Sequence, residues 1–329
     1  MFEFRSRIPV TVVGGFLGAG KTTLVNNLIR DGGKRFGVIV NEFGDINVDG
    51  ALIENMDEDG VTEFSNGCLC CAGRDDLAEA MLKLAMRANP PEHLLIELSG
   101  LADPVPVAQT VLDPQLRGLF ELDGIIGVAD ARNLHATLNE MPEGAVQLAY
   151  ASSIILNKLD LATPEQLETA RGLLRGLNPL AHVSEVENAA IDPKSQLEQG
   201  AFDTDWKPSN YEHTHTAGVK SFSLHHSEPL DVMAWNGFME ELIISRPGSV
   251  YRAKGFLAFK GIANEIIFQA VREIVKVTKG DQHHEQRSSL VIIGRGLIEA
   301  EYREAFAKLD QSVQIKLPGK QASKSEDRA

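Results

Sequence analysis

Only three cysteines occur in 329 residues, and all three fall within four positions, Cys68, Cys70 and Cys71. A disulfide framework of the kind that holds small secreted chains together is therefore excluded. Basic residues are also scarce, 32 against 46 acidic, and the net charge of −14 repels nucleic acid and anionic membrane at long range. Neither is expected as a partner. Long hydrophobic runs are missing too. The longest, such as 123–129 and 153–156, have the length of buried strands and fall short of the roughly 18 residues needed to span a bilayer. The opening Met1-Phe-Glu-Phe-Arg5 carries no apolar signal segment, so a cytoplasmic location is expected. What is present is enough chain for two domains with full cores.

Strand-like apolar runs alternate with helical patterns over the first two hundred residues. Strands are predicted at 8–13, 36–41, 93–98, 124–129, 153–157 and 182–185, and helices at 20–30, 75–88, 105–112 and 164–177. Thr163 before Pro164 and Glu165 is a sound helix start. The alternation predicts an α/β fold with a mostly parallel sheet covered on both faces. Domain boundaries are expected at 1–200 for this unit, 201–218 for a polar linker, 219–317 for a smaller C-terminal α+β domain and 318–329 for a disordered tail. In the second unit a helix is predicted at 229–244 and a last one at 297–309, with strands at 219–224, near 256–259, at 265–274 and at 289–294.

The strongest motif is a phosphate loop. Strand Pro9-Val-Thr-Val-Val13 runs into Gly15-x-x-x-x-Gly20-Lys21-Thr22 and then into a helix, the context that gives the pattern its meaning. Backbone N–H groups of Gly15, Gly18, Ala19, Gly20 and Thr23 would face phosphate oxygens, Lys21 would reach the terminal ones, and the Thr22 hydroxyl would ligate Mg²⁺. Glu97 closes an apolar strand where an acidic Mg²⁺ ligand belongs, and Gly100, three residues on, could offer its N–H to a phosphate. Glu42, in an acidic, Gly-rich stretch, is a second candidate sensor of Mg²⁺ or the γ-phosphate.

Asn157-Lys158-Leu159-Asp160 follows another apolar strand. Guanine offers N1–H and the N2 amino group side by side, so an ionised Asp160, an acceptor only, would take both and reject adenine. Asn157 would hold the other edge of the base and the Lys158 stem would pack along the ring. No glutamine or arginine stands out as a positioned catalytic group, which predicts slow intrinsic GTP turnover. The thiols of Cys68, Cys70 and Cys71 suit Zn²⁺ or Cu⁺ and not Mg²⁺. Three protein ligands leave a tetrahedral metal one open position, the arrangement of a site that hands metal on. Small buried hydrophobes and a strained Cys70–Cys71 disulfide are the other readings of the cluster. His213 and His215 are candidate accessory ligands.

Gly15-Phe-Leu-Gly-Ala-Gly-Lys-Thr-Thr23, Asn41-Glu-Phe-Gly44, Asn66-Gly-Cys-Leu-Cys-Cys71, Glu97-Leu-Ser-Gly-Leu-Ala-Asp-Pro104, Asn157-Lys-Leu-Asp160, Tyr251-Arg-Ala-Lys-Gly-Phe256 and Leu290-Val-Ile-Ile-Gly294 occur in one chain, in this order. The chain thereby resembles the CobW/YjiA branch of the P-loop GTPases, metallochaperones and metal-insertion factors, from about Ile8 to Leu309. The resemblance implies a GTPase domain, a CobW-type C-terminal domain, and GTP-gated delivery of a metal to a client metalloprotein. The metal in such proteins is most often zinc and in some branches cobalt, for cobalamin synthesis. The alternatives to a GTP-hydrolysing zinc chaperone are a cobalt-insertion factor for cobalamin synthesis and a nucleotide-switched metal regulator without significant catalysis, and a nucleotide-dependent homo-oligomer is a further expectation. Many relatives carry a long His-rich stretch. Here only His213-Thr-His215 stands in its place, so high-capacity metal loading is not expected.

Overall fold

The computed structural model describes residues 6–41, 61–64, 73–100, 102–198, 215–216, 218–246, 249–271, 274–282 and 287–311. Glu42, Cys68, Cys70, Cys71 and His213 lie outside the described residues, as do most of the linker and all of the tail called from composition.

The N-terminal unit runs β1 (Ile8–Gly15), α1 (Lys21–Asp31), β2 (Phe36–Asn41), β3 (Val61–Phe64), α2 (Gly73–Ala85), β4 (His93–Glu97), α3 (Pro104–Val111), β5 (Phe120–Asp130), α4 (Leu134–Glu140), α5 (Pro142–Tyr150), β6 (Ser153–Asn157), α6 (Pro164–Leu177) and β7 (His182–Glu185). The strands form one seven-stranded sheet in the order β3-β2-β4-β1-β5-β6-β7, and every pairing is parallel. The central strands are mostly apolar because helices cover both faces, and Val10, Val12, Leu94, Leu95, Ile96 and Val128 are fully buried. After β1 the chain first builds one side of the sheet and then the other. The crevice at this reversal, beyond the carboxyl ends of β1, β4 and β5, is where ligands bind in open α/β sheets.

Nearer their amino ends the same three strands are joined by polar contacts. The Thr11 hydroxyl donates to Asp123 (3.0 Å) and therefore accepts from His93 Nε2 (2.8 Å), which assigns the ring its Nε2–H tautomer. Burial, helped by Lys34, lowers the His93 pKa to about 4, so the imidazole is neutral at physiological pH.

Local signals account for the helix starts. Thr163 Oγ1 accepts from Gln166 N (3.3 Å) and Gln166 Oε1 from Thr163 N (2.8 Å), a full capping box with Pro164 inside the first turn. Asp103 caps α3 through Val105 N (2.9 Å).

The C-terminal unit comprises β8 (His215–Thr216), β9 (Val219–His226), α7 (Val232–Phe238) continued by a π-helical turn (Met239–Ile244), β10 (Val250–Leu257), β11 (Asn264–Val271), β12 (Ile274–Gln282), β13 (Ser288–Arg295) and α8 (Glu299–Phe306). Its antiparallel sheet has the order β12-β11-β10-β13-β9-β8. One face buries Phe222, Leu224, Phe268 and Ile292 with Trp235, Phe238, Tyr302 and Phe306 of α7 and α8. The other face lies on the N-terminal unit, whose core takes in Tyr251, Val271, Val291 and Ile293.

Several elements differ from the sequence-based expectation, and β3 (Val61–Phe64) has no predicted counterpart. The stretch 265–274 is not one strand: β11 ends at Val271 and β12 returns from Ile274 beside it. Residues 215–216, expected in the linker, pair with Val219 and Lys220. The strand expected near 256–259 begins at Val250, because Arg252 and Lys254 look like surface residues in the sequence yet are buried at the contact between the two units. Helices α4 and α5 carry no predicted counterpart. Met141-Pro142-Glu143-Gly144 reads as a breaker, but Pro142 sits in the first turn of α5, where its missing N–H costs nothing.

Candidate nucleotide site

Three glycines with positive φ shape the loop after β1: Gly15 at 139°, Gly18 at 73° and Gly20 at 106°. Gly20 is the N-cap of α1 and offers no side-chain cap, so the first N–H groups of the helix and the positive end of its dipole stay available to an anion. A Cβ at Gly20 would also run into the Asn157 amide. Lys21 is buried, and its ammonium donates back to the Phe16 carbonyl (3.2 Å), across the top of the loop.

The parallel register Val13↔Glu97 carries the end of β4 to the loop. There the Thr22 hydroxyl donates to Glu97 Oε1 at 2.8 Å, and Glu97 is only 1% exposed. A hydroxyl and a carboxylate converging at a phosphate loop are hard oxygen donors, the chemistry Mg²⁺ takes. Gly100 packs on the loop as well, where a Cβ would meet the backbone nitrogen of Leu17.

The register Asp130↔Asn157 brings the end of β6 alongside. Asn157 is 2% exposed and uses both ends of its amide: Nδ2 donates to Ala19 O (2.9 Å), and Oδ1 accepts from Ala189 N (2.7 Å). It thus joins the phosphate loop to the turn after β7. Asn27 of α1 holds the same turn through the carbonyls of Asn188 (3.0 Å) and Ala189 (2.9 Å), both residues with positive φ. Lys158, at φ 64°, turns the chain so that its ammonium pairs with Asp130 Oδ2 at 2.8 Å. Burial pushes the Asp130 carboxyl up, but Lys158 together with the Asn133 and Arg132 hydrogen bonds outweighs it and holds the pKa below the ordinary aspartate value. Asp160 stands exposed on the short 3-10 turn Leu159–Leu161.

Residues 9–185 match the family CobW/HypB/UreG, nucleotide-binding domain, and residues 219–310 match the cobalamin synthesis protein CobW C-terminal domain. The chain belongs to the CobW family. It is 31% identical to the zinc chaperone CobW of a Sinorhizobium species, over 93% of this chain and 98% of that one. To the zinc chaperone YjiA of Escherichia coli it is 32% identical, over 92% of this chain and 98% of that one. The crystal structure of the Zn(II)-bound YjiA GTPase superposes with a TM-score of 0.73 at 27% identity, covering 93% of this chain and 99% of that one. The α/β nucleotide-binding fold with a smaller C-terminal sheet domain, expected from the sequence, is the fold of this family.

The structure thus brings Gly15, Gly18, Ala19, Gly20, Lys21, Thr22, Thr23, Glu97, Gly100, Asn157, Lys158 and Asp160 to one end of the parallel sheet. Among the described residues no group of three or more His, Cys, Asp or Glu side chains is placed to hold a metal, and no helix is long and apolar enough to cross a membrane. Asn27 and Asp130, absent from the sequence reading, hold the turn after β7 and Lys158 respectively, and a third such residue lies on α5. Gln147, 2% exposed, accepts from Gly15 N (2.6 Å) and donates to the carbonyls of Ala102 (2.7 Å) and Gly100 (3.3 Å). The first of these bonds occupies the Gly15 N–H, which the sequence predicts to face a phosphate, and a helix unforeseen in the sequence supplies the glutamine.

Proposed function

We propose that this CobW-family chain is a GTP-hydrolysing metallochaperone that binds Zn²⁺ as cargo through Cys68, Cys70 and Cys71 and releases it to a client metalloprotein under nucleotide control. The observation that carries the reading is the Thr22–Glu97 pair beside the phosphate loop, a ready site for the Mg²⁺ of a nucleoside triphosphate, in a chain with zinc chaperones as relatives. In the proposed cycle the loop amides of Gly18, Ala19, Gly20 and Thr23 hold phosphates while that of Gly15 stays with Gln147, and Lys21 leaves the Phe16 carbonyl for the terminal ones. Thr22 and Glu97, with Glu42, hold Mg²⁺, which neutralises charge on the transferring phosphoryl group. Asp160 selects guanine. Hydrolysis lowers the hold on zinc when the acceptor is at hand.

Zn²⁺ and Co²⁺ affinities of the reduced protein, measured by competition with a chromophoric chelator, test the reading. Zinc affinity is expected to change by about tenfold or more, roughly 1.4 kcal/mol of coupling, between Mg²⁺·GDP and Mg²⁺ with a non-hydrolysable GTP analogue. An affinity indifferent to nucleotide would reduce the metal to a structural element, and a preference for Co²⁺ would point to cobalt insertion instead. In the same assay Cys70→Ser is expected to weaken zinc binding and leave GTP affinity nearly unchanged, since an alcohol is a poor ligand for the metal where a thiolate is a strong one. Equal loss of both would mean that the thiols hold the fold of the nucleotide site.

A further inference from the structure

We propose that α5 transmits the nucleotide state from the phosphate loop to the C-terminal domain, with Gln147 as the positioning residue at the loop and Arg252 as the clasp at the far end. The proposal deepens the chaperone reading and rests on it for its biological purpose, though not for its geometry.

At the loop, α5 is engaged twice. Gly144 lies so close to the Phe16 ring that a Cβ there would occupy the ring's own space. One turn on, Gln147 makes its three hydrogen bonds, and they point in one sense only: the Gly15 N–H needs an acceptor, while the carbonyls of Gly100 and Ala102 need a donor. An amide does both at once, accepting through Oε1 and donating twice through Nε2. Gln147 therefore joins the start of the phosphate loop to the segment that follows Glu97, the segment expected to meet a γ-phosphate. If that segment shifts when the γ-phosphate arrives, the amide shifts with it, and so does the helix that bears it.

At its other end α5 is held by the carbonyls that a helix leaves unsatisfied. Asn178 Nδ2 donates to those of Leu148 (2.7 Å), Ala149 (3.2 Å) and Ala151 (2.9 Å). The Ala151 carbonyl also accepts from Arg252 Nη1, and Arg252 belongs to β10 of the C-terminal sheet. Burial lowers the Arg252 pKa to about 10, so the guanidinium is still a cation at neutral pH and faces the negative end of the helix. Beside it the rings of Tyr150 and Tyr251 meet at 5.1 Å. Helix α5 touches β1, β5, β9 and β10, strands of both sheets. A helix of nine residues is a rigid rod of about 13 Å, so displacement at Gln147 reaches β10 with little loss.

The test is amide hydrogen exchange of β10 and β13 in the full-length protein, with Mg²⁺·GDP against Mg²⁺ and a non-hydrolysable GTP analogue. It is run on the wild type, Gln147→Leu and Arg252→Met, each confirmed folded by its melting curve. Wild-type exchange in these strands is expected to differ by about threefold or more between the two nucleotides, and each substitution is expected to abolish the difference. Should Arg252→Met fail to fold, Tyr251→Leu, which keeps the guanidinium and removes the ring contact, is expected to diminish it. A difference that persists at wild-type size in the folded variants overturns the proposal, as does its absence from the wild type. Zinc affinity, measured on the same preparations, separates the two claims. If wild-type zinc affinity responds to nucleotide while β10 does not, the α5 route fails and the chaperone reading stands. If β10 responds in the wild type alone and zinc affinity never does, the route stands and the chaperone reading fails.

Discussion

Glu97→Gln is expected to lower single-turnover GTP hydrolysis by roughly 10²–10³-fold, or about 2.7–4 kcal/mol of transition-state stabilisation, the usual worth of one preorganised charge-stabilising group. The substitution preserves volume at a position only 1% exposed, and a glutamine Oε1 can still accept from the Thr22 hydroxyl as the carboxylate does at 2.8 Å. What disappears is the negative charge that draws Mg²⁺ to the phosphates. Binding of GDP, which needs the loop amides more than the metal, should change far less. Rapid-quench measurement across a Mg²⁺ titration checks this, with most of the loss appearing as a higher Mg²⁺ requirement. Hydrolysis within a factor of about three of the wild type at every Mg²⁺ concentration would remove Glu97 from the metal site.

Asp160→Asn should exchange one base preference for another. A carboxylate accepts from both guanine N1–H and the N2 amino group; an asparagine amide accepts from one and sets its own NH₂ against the other donor. Two charge-assisted hydrogen bonds at about 1.5–3 kcal/mol each predict a loss of GTP affinity of roughly 10²-fold or more. Xanthosine triphosphate carries a carbonyl where guanine has the amino group, so the variant should bind it more tightly than the wild type does. Asp160 is exposed, so folding is not at stake. Equilibrium titrations with fluorescent analogues of both nucleotides decide the matter: undiminished GTP affinity would mean that Asp160 does not read the base.

These two predictions differ in how much the tertiary structure added. Asp160 was legible in the sequence because Asn157-Lys158-Leu159-Asp160 follows a buried strand directly, and its proposed role depends on two hydrogen bonds to a ligand. For Glu97 the sequence placed a carboxylate at a strand end. Its meeting with Thr22, 75 residues away, depends on β4 lying next to β1, a pairing no local pattern encodes. Asn157 shows the same division within one residue. Its motif marked it as a base contact, yet in the fold its amide is spent on Ala19 and Ala189, so it first ties the phosphate loop to the turn after β7.

By itself the sequence determined what is contiguous. The phosphate loop is a run of backbone N–H groups whose conformation depends on glycines a few residues apart, and helix caps such as Thr163 with Gln166 close within one turn. Near-continuous apolar runs likewise set most strands of the parallel sheet, because burial on both faces leaves few positions free to be polar. Only the tertiary structure decided the links between these pieces. Gln147 meets Gly15 across 132 residues and Arg252 meets Ala151 across 101, and in the sequence either side chain passes for a surface residue. A hydrogen bond of that span leaves no periodicity behind. It forms because α5, hidden behind Pro142 and Gly144, is packed between two sheets, where every buried amide, guanidinium and carbonyl must find a partner or bear the cost of desolvation.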